Sequence, residues 1–99
     1  MNLSAFKRSL ANKAPPAGLS AALNALWWAG RSDWDEAHKV VMAGKGSDCA
    51  WVHAYLHRVE GDADNAGYWY RQARREPASG DFPAEWAAIA AALLEAHRR

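Results

Sequence analysis

The chain has 99 residues, a formal net charge of +1 and one cysteine. That length fits one domain able to bury roughly two thirds of its unfolded surface, and the near-neutral balance argues against a dedicated nucleic-acid binder, which carries a basic excess. Lone Cys49 excludes an intramolecular disulfide and a Cys-rich zinc site and fits a reducing compartment.

Ahead of Pro15 and Pro16, Leu3, Phe6 and Leu10 recur at helical spacing, which predicts a short amphipathic leading helix within residues 1–14. Met1 to Lys13 lacks the apolar core and cleavage pattern of a secretory signal. No apolar run approaches the roughly 20 residues needed to span a bilayer. The expected location is therefore the cytoplasm, with no membrane partner.

Beyond the prolines, Leu19, Leu23, Leu26 and Gly30 form one helical stripe. Ser32 and Asp33 offer cap oxygens, with Asp35 and Glu36 as capping-box partners, and open a helix carrying Trp34, Ala37 and Val41 to a stop at Gly44 and Gly46. These two helices make a hairpin over 17–45. Ser47 or Asp48 is the expected cap of a third helix with the stripe Val52, Leu56 and Val59, ending at Gly61. Asp62 or Asp64 caps a fourth, which places Ala66, Trp69, Tyr70 and Ala73 together ahead of Pro77. The second hairpin thus covers 47–77. Pro83 suits a first helical turn, and Trp86, Ile89, Ala90 and Leu93 mark a closing helix over 82–98. No strand-like alternation occurs, so the expected fold is all-α, with the large Trp rings packing between Ala-rich helices.

Sliding the chain against itself by 29 residues aligns Ala21 with Ala50, Ala25 with Ala54, Asp33 with Asp62, Asp35 with Asp64, and Ala37 with Ala66. The matches include both cap acids and small residues suited to close helix crossings. A hairpin of this kind cannot bury its apolar side alone, so neighbours stack. The run from Gly61 to Ala73, with Ala66, Tyr70, Ala73 and the following Pro77, resembles the second helix of a tetratricopeptide-type repeat. Ser32 to Ala37 with Val41 resembles it more loosely. That likeness covers Gly18 to Pro77 and implies a right-handed stack of two hairpins closed by a capping helix. It departs from the family in repeat length, in Ala25 and Ala54 where glycine is usual, and in His53 and His57 where larger apolar residues are usual. The stretch His53 to Arg71 also resembles small, uncharacterised bacterial proteins.

Two sets of residues could carry function. Trp51, Tyr55 and Arg58 recur at steps of four and three on the third helix, and the resemblance implies that this helix lines a concave groove. They are candidates to grip a peptide, a protein partner or a second copy of the chain, since Trp, Tyr and Arg dominate interface energetics. The competing reading is that a terminal helix covers them. His53 and His57, four apart, share one side of the same helix with Glu60, and His38 on the antiparallel neighbour could join them. The set His38, His53, His57 and Glu60 could bind a metal or perform acid–base chemistry, contact a ligand, or simply hydrogen-bond between crossing helices. The zinc-protease pattern is not met, because Ala54 follows His53 where a glutamate would be required. The expected function is a non-enzymatic binding or self-associating module without a cofactor, with a small metal-binding or acid–base enzyme as the alternative. Arg71, Arg74 and Arg75 form a short basic cluster, as do Arg98 and Arg99; a solvated face accounts for them, and no nucleic-acid partner is expected.

Overall fold

In a computed structural model describing residues 1–96, the chain folds into six helices: α1 (Leu3–Ser9), α2 (Ala21–Gly30), α3 (Trp34–Ala43), α4 (Ser47–Glu60), α5 (Ala63–Ala73) and α6 (Phe82–Ala96). No strand occurs among the described residues. The expected extension of the closing helix to 98, and the basic pair Arg98 and Arg99, lie outside them. No helix is long and apolar enough to cross a membrane among the residues described.

Short-range chemistry sets most helix starts. The side chains of Ser20, Asp33, Asp62 and Asp81 accept hydrogen bonds from the backbone N–H three residues on, satisfying donors that the first helical turn leaves free. Helix α4 is the exception. Neither Ser47 nor Asp48 caps it: the cap position is Gly46, at φ +95°, with no side-chain cap bond. That backbone geometry suits glycine, and the chain enters α4 through it rather than through an acceptor side chain.

The antiparallel pairs α2–α3 and α4–α5 form the two hairpins, joined by contact of α4 with both α2 and α3. Their turns are copies at the 29-residue offset. Asp33 N–H donates to the Trp28 carbonyl and Asp62 N–H to the His57 carbonyl, each at 2.9 Å. The preceding residues, Ser32 and Gly61, both take positive φ, at 63° and 90°. The offset alanines Ala25, Ala54, Ala37 and Ala66 are all buried, and their small side chains allow the helices to approach.

The core joins Phe6 of α1, Leu23, Leu26 and Trp27 of α2, Val52 and Leu56 of α4, and Ile89 and Leu93 of α6. Indole N–H groups tie the layers. Trp27 donates to Ser9 Oγ (3.1 Å), Trp34 to the Leu56 carbonyl (2.7 Å) and Trp86 to the Leu26 carbonyl (2.8 Å), so these large rings enter the interior without a stranded donor. Helix α4 is covered on nearly all sides: Val52 and Leu56, but also Ala50, His53, Ala54, Tyr55 and His57, are buried, whereas Val59 of the expected stripe is exposed.

Helix α6 lies against α1, α2 and α4. It therefore closes the fold by covering the face made by the first helices of both hairpins, rather than by extending the stack beyond α5. Glu85 secures that position. It is buried, receives Arg58 Nη1–H at 2.9 Å on one carboxylate oxygen, and accepts the Tyr70 hydroxyl on the other. Arg58 also donates to the Gly80 carbonyl and stands 4.9 Å from the Phe82 ring centroid.

Candidate functional site

The histidines converge. His38 comes from α3, and His53 and His57 come from successive turns of α4, with ring centroids separated by 5.0 Å (His38–His53), 5.4 Å (His38–His57) and 4.8 Å (His53–His57). One ring nitrogen of each lies within 4.8 Å of those of the other two. His53 and His57 are buried and His38 is half-buried. Two indoles bracket the group: Trp34 stacks on His38 at 4.7 Å and Trp69 on His53 at 4.0 Å. Trp34 and Trp69 were read from the sequence as packing residues, and no local spacing signals their role as walls of this cluster.

Glu60 does not stand among the three rings as an equal member. Its Oε1 lies 2.8 Å from His57 Nδ1. A carboxylate at that position can accept a hydrogen bond from Nδ1–H, the tautomer in which Nε2 carries the lone pair. Burial, then the neighbouring His57, lowers the proton affinity of His38, against smaller opposing effects from Glu60 and Asp35. Burial, reinforced by His57 and His38, holds His53 down at about 4. Both rings are therefore neutral near pH 7, with unshared pairs available as acceptors or ligands.

The second predicted set is split by α6. Tyr55 is buried and its hydroxyl is pushed up to about 12 by burial and by the charge of Glu85. Arg58 is engaged by Glu85. Trp51 lies on the other side, half-buried, with the Arg75 guanidinium 3.8 Å from its ring centroid. Tyr55 nevertheless reaches a surface. It lines a cleft of about 540 Å³ with Leu10, Ala29, Phe82 and Trp86, and with Lys7 on its edge. A further concavity of about 240 Å³ shares Ala29, Tyr55 and Phe82 with it and runs to Trp34 and Val59. Phe82 and Val59 are exposed large apolar side chains along this course. Sequence reasoning missed Lys7 and Phe82, because the cleft forms only where α1, α2, α4 and α6 meet. Cys49 is buried and its thiol is pushed up by that burial and by Asp48, the opposite of an activated nucleophile.

No protein-family model, curated protein or solved structure matches the chain. What the fold and site define is a class: a small all-α protein of two helical hairpins with a sandwiched histidine cluster at their junction.

Proposed function

We propose that the protein is a non-enzymatic binding module that seats an apolar segment of a protein partner in the cleft floored by Tyr55. The observation that carries this reading is the open concavity of about 540 Å³ whose wall includes the exposed Phe82 ring. A concave, largely apolar surface with a few polar groups at its edge is the form that ligand and peptide sites take. Lys7 supplies a cation at the rim, so the favoured occupant is a segment in which large apolar side chains adjoin a carboxylate. The resemblance to tetratricopeptide repeats supports the same kind of role, with the difference that α6 occupies much of the face that such repeats leave open.

Selection of short random peptides on the purified protein tests this. The expected result is enrichment of aromatic or aliphatic residues beside Asp or Glu, with affinity reduced about tenfold or more by Phe82→Asp, the scale of a central interface side chain. Phe82 is exposed, so that variant should keep the parent helical spectrum. Absence of enrichment over the Phe82→Asp control would overturn the reading. Concentration-dependent mass in light scattering, abolished by the same variant, would replace the partner with a second copy of the chain.

A further inference from the structure

We infer that His38, His53 and His57 form a binding site for a borderline divalent transition-metal ion, Zn²⁺ foremost, with Glu60 holding His57 in the ligating orientation. The site is independent of the Tyr55 cleft, so either can fail without the other.

The geometry is that of a ligand set supplied by two helices. His53 and His57 stand one turn apart on α4 and so project to the same side, and His38 faces them from α3. Their ring nitrogens are grouped within 4.8 Å. Tetrahedral zinc with Zn–N bonds of about 2.0–2.1 Å needs its nitrogens about 3.4 Å apart. Closure therefore asks the ring nitrogens to draw closer together about a shared centre. Three imidazoles without a thiolate select Zn²⁺, Cu²⁺, Ni²⁺ or Co²⁺ over Mg²⁺ or Ca²⁺, which prefer oxygen ligands.

Two further features fit a ligand set better than a purely packed one. The first is the carboxylate behind His57. A metal-binding histidine usually gives its second ring N–H to a carboxylate or carbonyl, which fixes the tautomer and raises the basicity of the ligating nitrogen; the 2.8 Å contact of His57 Nδ1 with Glu60 Oε1 is that arrangement. The second is that, among the described residues, no hydrogen bond joins a ring nitrogen of His38 or His53 to another protein group, and neither ring has a nitrogen sealed from solvent without a partner. Stacking by Trp34 and Trp69 restrains the His38 and His53 rings, which reduces the ordering that binding would otherwise require. Asp62, whose carboxylate also lies near His57 and Glu60, is occupied as the N-cap of α5.

The experiment uses the full chain without a histidine tag, stripped with chelator and titrated with Zn²⁺ against a chromophoric competitor. The expected result is one equivalent bound, a raised melting temperature, and affinity lowered about tenfold or more by Glu60→Gln, as for other groups that orient a ligand. Removing a direct ligand by His38→Gln should lower it further; His38 is half-buried, so a folded variant is expected. Co²⁺ substitution in the parent protein should give the intense visible bands of a four-coordinate site, and ¹⁵N shifts of the imidazoles of His38, His53 and His57 should move together. This second measurement decides the matter even if His38→Gln unfolds. No binding at a large excess of Zn²⁺, binding unchanged in His38→Gln, or imidazole shifts confined to His97 would each overturn the inference and leave the cluster as packing.

Discussion

Replacing Arg58 with methionine isolates the strongest electrostatic device in the fold. The Arg58–Glu85 pair spans 2.9 Å, with side chains 19% and 5% exposed, so removing the guanidinium leaves a buried carboxylate facing only the Tyr70 hydroxyl. Breaking a buried pair from one side costs about 3–5 kcal/mol, because the remaining charge has lost its compensation. A domain of this size has about 5–15 kcal/mol in total, and each kcal/mol moves its melting temperature by about 4–8 °C. Arg58→Met should therefore lower the midpoint by about 12 °C or more. Glu85→Gln keeps an oxygen for Tyr70 while removing the charge, so the double variant should fall short of the sum of the singles by about 2 kcal/mol. Thermal and urea unfolding followed by circular dichroism measure all four proteins. If Arg58→Met costs under about 1 kcal/mol, as an exposed pair would, or if the single effects add, the claim that this network anchors α6 is refuted.

Chelator-treated protein should lose stability as acid is added, through His53. The folded imidazole is held at about 4 while the unfolded one protonates near 6.5, so falling pH charges the unfolded chain first. The loss amounts to about 2 kcal/mol between pH 7 and pH 5 and is complete below about pH 4; equal pH slopes for the parent and His53→Gln in urea unfolding would count against it. Two glycine substitutions should act in opposite directions. A Cβ on Gly44 would meet Cys49 Sγ at 2.5 Å and Ala21 Cβ at 3.1 Å, so Gly44→Ala should cost about 1–3 kcal/mol. On Gly67, within α5, it would meet only the Arg71 guanidinium at 3.6 Å, so Gly67→Ala should add about 0.5–1 kcal/mol; the same unfolding curves read both.

Most of the helical framework was legible from local chemistry. Caps such as Asp33 and Asp62 act on N–H groups three residues away, and the stripes of α2 and α3 follow from helical geometry. The 29-residue offset marked the copied turns for the same reason: each turn is made by neighbouring residues. The convergence of His38 with His53 and His57 was foreseeable once α3 and α4 were set antiparallel. The start of α4 was misjudged because Ser47 and Asp48 look like cap residues, while the positive φ of Gly46 decides the entry.

The tertiary structure alone decided what lies on top of α4. Glu85 is buried within the closing helix, and Arg58 and Tyr70 meet its carboxylate from 27 and 15 residues away, partners that no local pattern names. Together with the core contacts of Trp86, Ile89 and Leu93, that meeting holds α6 against α2 and α4, where it lies between Tyr55 and Trp51. The cleft with Lys7 and Phe82, and the indole walls around the histidines, likewise depend on which helices come to lie together. Spacing along a chain reports which side chains share a helix face; which face is covered, and by what, follows from long-range burial that no local pattern encodes.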